Sequence, residues 1–509
     1  MKKKILILIL IFGGILPAKS QQFFNYDTLS TYKILQKGLE ENFSIRLKKH
    51  AVEQSRGQMV SAGGFLNPQL TLGTNQYYGT DPAVTYENSY SLNGQLLIPT
   101  RMGIKFFTGF KLSTETDIIS GVPDVFPTTY MPINESGMWA GLSMPLLRDF
   151  GRNNSSNANL LTSVLINKAQ NIAFTDEICQ FIKNSLISYY NVYQRVKIFR
   201  ILSDADEDSR QYLADIQAMI DNEQMPKVEI YRATAYQLNI SQQFFLSRNE
   251  IINSLSELIT SVGIKGIKTP NKLPVFLDSV PDPASFAWDK YSAYIYKNMD
   301  SMLVNTPYYK SQEMLTSSAQ IAANAAKHNK LNELTLDAKY FLFGSTAYQP
   351  VSEFGQTFSS SSPGPSFNLT LAYKLPFKND ERKGEYIAKL SAYESNKTQL
   401  EKVKFESNLH VLKLLSDLNI LIPLFKSQTE LADLEEKTYQ NEVQKFKLGA
   451  STQINIINTY MDYNTALLNV EASRQSIMSS IILLKYLIGD FPTTTEQLIS
   501  FNPWDFTTK

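Results

Sequence analysis

The sequence predicts an α+β membrane protein in which long helices and short blocks of strand recur in two tandem copies. Three observations carry that expectation. The N-terminus has the pattern of an export signal, two long segments carry apolar side chains at helical spacing, and the segments preceding them alternate apolar and polar residues with a period of two.

The N-terminus sets the compartment. Lys2, Lys3 and Lys4 precede an apolar run from Ile5 to Leu16, and Ala18-Lys19-Ser20 forms a small-x-small cleavage pattern ahead of Gln21. Residues 1–20 therefore read as a secretory signal peptide, because the apolar run is shorter than the roughly 20 residues that a spanning helix needs. The mature chain is expected to begin near Gln21. With no Cys immediately after the cleavage site, a lipoprotein is not expected. The single Cys179 excludes an intrachain disulfide. Lys and Arg total 49 against 48 Asp and Glu, and they are scattered, so nucleic acid is not an expected partner.

The helical segments come next. Asn153 to Gly263 and Arg382 to Gly489 nearly lack Gly, and in the first Leu161, Leu165, Ile172, Ile178, Ile182, Leu186, Tyr189, Tyr193 and Val196 recur mostly three or four residues apart. A helix from Asn153 to Leu202 would rise about 75 Å at 1.5 Å per residue, a length found in coiled-coil assemblies more than in globular domains.

Between the helices the period changes. Tyr90, Leu92, Leu96 and Ile98 alternate with Ser91, Asn93 and Gln95. Ile104, Phe106, Phe110 and Leu112 alternate with Lys105, Gly109, Lys111 and Ser113. Met138 to Met144, Leu334 to Tyr340 and Phe367 to Tyr373 behave alike. A lipid-facing barrel with a wet interior demands this alternation, and Tyr77, Tyr78, Phe106, Phe107, Trp139, Tyr340, Phe341 and Phe343 supply aromatic residues of the kind that girdle barrel interfaces. A soluble sandwich on a secreted, adhesive coiled-coil protein would show the same alternation.

The order helix, strands, long helix pair occurs twice. Leu70-Thr71-Leu72 matches Leu334-Thr335-Leu336, and Met144-Pro145-Leu146 matches Leu375-Pro376-Phe377 in opening the long helices. Tyr212 to Gln217 matches Tyr439 to Gln444, and Gly263 matches Gly489. The two matches differ in offset by one residue, which places an insertion around Asn222 to Pro226 and Gly449 to Gln453. The domain reading is a signal peptide at 1–20 and a first repeat at 21–263, with strands at about 67–147 and a helix pair at 152–263. A linker at 264–290 leads to a second repeat at 291–490, with strands at about 334–376 and a helix pair at 380–489, and a tail at 491–509. The first strand block is the longer, with room for an extra hairpin turning at Pro99 to Gly103.

Read together, Glu41-Asn42-Phe43-Ser44-Ile45, Leu66-Asn67-Pro68-Gln69-Leu70, Pro145-Leu146-Leu147-Arg148-Asp149-Phe150-Gly151 and Tyr439 through Phe446-Lys447-Leu448-Gly449-Ala450-Ser451 to Leu487-Ile488-Gly489 resemble the TolC-like outer-membrane efflux family. Its protomers are tandem repeats of helix, strand, strand and two long helices. The resemblance implies a homotrimer whose strands share one transmembrane β-barrel in outer-membrane lipid and whose helices form one periplasmic α-barrel. It also implies partnership with a periplasmic adaptor and an inner-membrane pump, in efflux or type I secretion. The longer first strand block, and Asn222 where the family usually has Gly, depart from the pattern.

Two sets of residues are candidates for function. Counting back from the helix-bend landmarks places the turns between paired helices near Arg200 to Asp204 and Ile420 to Phe425, the latter favoured by Pro423, since Pro is costly inside a helix. A threefold aperture there would present Lys197, Arg200, Asp204, Asp417 and Lys426 three times over, where they could set ion selectivity. Asn222, Pro226, Gly449 and Ser451 mark helix bends and, by resemblance alone, a groove for the adaptor. Enzymatic chemistry is not expected: His50, His328 and His410 are isolated, and no metal spacing, phosphate-cradling Gly loop or nucleophile elbow is present. Neither a cofactor nor a metal is implied.

Overall fold

The computed structural model describes residues 28–81, 84–119, 129–263, 273–278, 280–347, 365–493, 497 and 501–506. The expected signal peptide lies outside them, as do residues 264–272 and 279 of the expected linker.

Each repeat begins with a broken helix. In the first copy α1 (Thr31–Glu41) and α2 (Phe43–Gly63) meet at Asn42, whose side chain caps α2 by accepting from the Ile45 amide at 3.2 Å. In the second, α5 (Trp288–Asn305) and α6 (Pro307–Asn329) meet at Thr306, whose hydroxyl accepts from the Tyr309 amide. Pro307 at the first helical position costs nothing there, because that amide has no intrahelical acceptor.

A continuous helix then runs the length of each repeat, α3 (Ser155–Asp221) and α7 (Asp380–Lys447), each about 100 Å long at 1.5 Å per residue. A shorter helix returns beside each, α4 (Glu229–Val262) and α8 (Gln453–Leu487). Gly263 and Gly489 end these return helices with φ of +73° and +77°, a left-handed cap that a side chain would strain. Gly263 abuts the Asn42 break and Gly489 abuts the Thr306 break. The broken helix and the return helix of one repeat thus meet end to end, and α2 and α4 both pack along α3.

Two long-helix expectations fail. The chain does not turn at Arg200 to Asp204 or at Ile420 to Phe425; both stretches are helix interior. Pro423 lies within α7 on an exposed position, beside Ile422 and Phe425, which are buried. Proline removes one hydrogen bond and costs about 3 kcal/mol. Burying Leu415, Leu418, Ile422 and Phe425 against α5 and α8 is worth about 1.5–3 kcal/mol per side chain, so packing carries the helix through.

Two apolar cores hold the equator. The first gathers Leu29, Ile34 and Leu35 with Ile182, Leu186 and Tyr189 of α3 and Leu255 and Ile259 of α4. The second gathers Trp288, Tyr291 and Ile295 with Leu415 and Leu418 of α7 and Ile477 and Ile481 of α8. Trp504 from the C-terminal tail packs against both, donating its indole N–H to Tyr190 at 3.2 Å and stacking on Phe286. The buried Lys485 ammonium donates to the Asp505 carbonyl and lies 3.3 Å from Asp490, which fixes the tail to α8. A two-residue parallel pairing, β1 (Thr28–Leu29) with β6 (Val275–Phe276), joins the start of one repeat to the approach to the other.

Among the described residues the remaining strands make one antiparallel sheet of six, in the order β2 (Gln69–Asp81), β3 (Val84–Pro99), β4 (Lys105–Ile119), β5 (Thr129–Pro145), β7 (Glu333–Ala347) and β8 (Ser366–Lys374). Neighbours pair in register so that Leu70, Leu96, Leu92, Phe106, Phe110, Leu112, Met138, Leu142, Leu336, Tyr340, Leu369 and Leu371 fall on one face. Asn75, Asn93, Gln95, Lys111, Glu135, Lys339, Asp337, Asn368 and Lys374 fall on the other.

Pro423→Ala should raise the thermal midpoint of the detergent-purified protein, by an amount equivalent to at most about 3 kcal/mol. Leu418→Ala, which empties a fully buried position, should lower it by about 2–5 kcal/mol. Intrinsic tryptophan fluorescence against temperature reads both, and a turn at Pro423 would give the opposite sign for the first.

Candidate functional site

The sheet and the helices meet in a built junction. Leu146 donates its amide to the Leu334 carbonyl at 2.6 Å, and the Arg148 guanidinium reaches Glu333 at 2.6 Å, so the exit of β5 is tied to the entry of β7. Asp149 and Gly151 adopt left-handed backbone, with φ of +63° and +78°, and turn the chain into α3. Asn154 caps α3 and donates to the Arg101 carbonyl at 2.6 Å, while the Gly151 amide donates to the Met102 carbonyl at 3.0 Å. Gly103 has φ of +88°, and a Cβ there would lie 2.1 Å from the Asp149 carbonyl oxygen. The β3–β4 turn is therefore clamped to the base of the helices.

This junction shows which strands are additional. β2 and β7 each follow the second half of the broken helix, and β5 and β8 each lead into a continuous helix. The added pair is β3 and β4, turning at the predicted Pro99 to Gly103.

The polar face of the sheet carries charge and rings together. Lys111 lies 3.4 Å from Glu135, and the Lys339 ammonium sits over the rings of Trp139 and Phe341 at 4.6 and 4.2 Å. Gly109 and Gly141 open the space into which the Trp139 and Phe107 rings lie.

At the opposite end of the molecule are the two helix-to-helix turns, 222–228 and 448–452. They close identically: Glu223 donates to Ile220 and Gln224 to Met219, while Gly449 donates to Phe446 and Ala450 to Lys445. This is a Schellman closure, and the same offset between copies holds where Glu229 donates to Pro226 and Asn455 to Thr452; the hydrogen-bond register thus carries no insertion, contrary to the sequence expectation, and the two spans differ only in where the return helix begins. The left-handed position is Gly449, with φ of +73°, in one copy and Glu223, with φ of +58°, in the other. Asn222 itself is not left-handed. Ser451 donates to the Glu442 carboxylate, and this bond, with Lys445, holds that carboxyl below the usual range. Gln453 donates to the Glu229 carbonyl at 3.4 Å, linking the two turns.

The predicted residues are thus redistributed. Asn222, Pro226, Gly449 and Ser451 sit together at the tips instead of at bends along the helices. Lys197, Arg200, Asp204, Asp417, Pro423 and Lys426 lie about 25–45 Å back from the tips along α3 and α7, at 1.5 Å per residue. Among the described residues, no group of three or more His, Cys, Asp and Glu side chains could hold a metal ion.

No family model matches the chain, and no curated protein matches it. Solved structures do. CusC, described for conformational changes accompanying folding and transmembrane channel formation, is 13% identical with a TM-score of 0.62, over 92% of this chain and 95% of that one. The CmeC outer membrane channel of Campylobacter jejuni is 12% identical at 0.62, over 93% and 89%. The outer membrane protein VceC of Vibrio cholerae is 11% identical at 0.62, over 91% and 97%. The chain has the fold of the TolC-like outer-membrane channels.

Within that TolC-like frame, one feature escaped the sequence. About 10–14 Å back from the tips, at 1.5 Å per residue, α3, α4, α7 and α8 each contribute one ring, Tyr212, Tyr236, Tyr439 and Tyr460, to a single cluster. The Tyr460 hydroxyl donates to Asp208 at 2.8 Å, and burial beside that carboxylate pushes its pKa up. The rings fasten the two helical hairpins to each other. Tyr212 and Tyr439 appear in the sequence as matched repeat positions, but nothing in the sequence shows Tyr236 and Tyr460 reaching them.

Glu223→Gly should stabilise the protein by about 1 kcal/mol, because it relieves a left-handed non-glycine residue, and Gly449→Ala should cost about as much. Thermal midpoints of the two variants should shift in opposite directions.

Proposed function

We propose that three copies of this chain form a passive outer-membrane duct, with their sheets closed into one barrel in the lipid and their helices extending through the periplasm. The carrying observation is the sheet: one face is apolar from β2 to β8, the other is polar, and both edges are unpaired among the described residues. Lipid offers no partner to an open edge, so such a sheet is stable in a bilayer only when closed.

The helices support the same assembly. Tyr231, Leu238, Phe245 and Ile252 recur every seven residues on α4 and are exposed. Phe405, Leu409, Leu412, Ile420, Leu424 and Leu431 form a second exposed stripe on α7. Seven-residue apolar spacing is the seam of packed parallel or antiparallel helices. In the closed assembly each stripe covers the other on the neighbouring protomer.

The duct has no energy source of its own. An inner-membrane pump and a periplasmic adaptor dock at the tips, around Asn222, Pro226, Gly449 and Ser451, and deliver cargo for efflux or type I secretion. The aperture belongs to the same turns, and Lys197, Arg200, Asp204, Asp417 and Lys426 line or clothe the helical wall behind it.

Two measurements test this reading. Light scattering in detergent should give a three-chain mass for the wild type and a lower mass for the Leu238→Glu, Phe245→Glu double variant, and recovery of the wild type as a monomer in the soluble periplasmic fraction would reject the duct in favour of a secreted structural protein. In planar bilayers Lys227→Glu at the tip should change single-channel conductance, whereas Arg200→Ala and Asp204→Ala should leave it unaltered.

A further inference from the structure

We propose that the barrel is closed by 18 strands, with β8 of one protomer paired to β2 of the next in the same register that β5 and β7 use within one protomer. This rests on the three-chain reading above and goes beyond it, since the repeat of the resembling family supplies only four strands per chain.

The internal duplication makes the register calculable. β5 and β8 are equivalent, both leading into a continuous helix, with Pro145 matching Pro376. β2 and β7 are equivalent, with Leu70 matching Leu334. The β5·β7 seam is therefore the intrachain copy of the seam between protomers. Its observed pairs Ser143 with Asp337, Gly141 with Lys339 and Trp139 with Phe341 translate to Lys374 with Gly73, Ala372 with Asn75 and Thr370 with Tyr77.

Two independent features agree with that register. Residues paired across an antiparallel seam share a face, and the translation places Leu369 opposite Tyr78 and Leu72 opposite Leu375, apolar on apolar, where a one-residue slip would put lipid-facing side chains in the lumen. The same translation carries the Leu146 amide to Leu334 carbonyl bond onto Phe377 and Leu70. Phe377 is fully exposed in the isolated protomer, with Leu70, Leu72 and Leu375 more than half exposed beside the open edges, and the seam brings all four together.

The added strands belong to the wall. β3 and β4 are paired on both sides over their lengths, continue the apolar face through Leu92, Ile98, Phe106 and Phe110, and are clamped at their turn by Asn154 and Gly151. With strands about 4.8 Å apart and tilted about 40°, 18 strands enclose a ring about 36 Å across at the backbone, against about 24 Å for 12. The chain thus builds an exit wide enough for bulky hydrated cargo.

Disulfide trapping tests the seam. Cys179 is buried and its thiol is pushed up to about 12, so it stays out of the reaction. Full-length protein carrying Asn75→Cys and Ala372→Cys, oxidised in outer membranes, should give linked dimers and trimers and nothing larger; Asn75→Cys with Leu371→Cys, on opposite faces, should give neither. No linkage in a sample of three-chain mass overturns the seam while leaving the duct standing, whereas a monomeric sample rejects the duct itself. Electron-microscopic projections down the threefold axis should show the wider ring, contracting by about a third when residues 82–119 are deleted. An uncontracted ring in an assembled deletion overturns the 18-strand count; if that variant does not assemble, the trapping result and the wild-type ring diameter decide.

Discussion

In the proposed outer-membrane duct the architecture follows from one constraint: a backbone amide or carbonyl facing hydrocarbon must find a partner in protein. Six strands pair with one another, and the two outermost, β2 and β8, have no neighbour on their outer edges among the described residues. Every unpaired peptide group would cost several kcal/mol in lipid, far more than any single side-chain contact contributes. The sheet is thus incomplete in one chain, and the helices enter and leave it on one side because the strand number in each copy is even; in the proposed duct they inherit the symmetry that closure would impose.

The helical part meets a different problem. Helices of about 100 Å cannot be held by a single compact core, and the molecule uses three fastenings along them. The clamped junction at Arg148, Gly151 and Asn154 sets the angle at the sheet. The paired cores at the equator, bridged by Trp504, hold the broken helices against the continuous ones. The four-tyrosine cluster holds the hairpins near their tips. Between these levels the apolar positions on α4 and α7 stay exposed, as expected of surfaces that pack on another copy.

The places where sequence reasoning failed share a cause. Pro423 and the charges around Arg200 look like turn chemistry because local propensity is all that a linear reading offers. The helix persists because Leu415, Leu418, Ile422 and Phe425 are buried by residues more than a hundred positions away in α5 or on the partner helix α8. Likewise Glu223 has no sequence signature of left-handed backbone; the constraint comes from the Schellman closure that it shares with Gly449. Asn222, the residue that the sequence singled out, is its neighbour, so the signal fell one position short.

By itself the sequence determined the periodicities: helix in two long segments, dyad strands between them, an extra hairpin turning at Pro99 to Gly103, and the duplication that relates the copies. These are local properties, set by side-chain spacing and by the residues that tolerate turns. Tertiary structure alone decided where the long helices end, which strands were added, and that Asn222, Pro226, Gly449 and Ser451 meet at one end while Lys197, Arg200, Asp204, Asp417 and Lys426 do not. Those outcomes depend on which distant residues bury which face, and burial energy summed over a long helix outweighs the preference of any single residue along it.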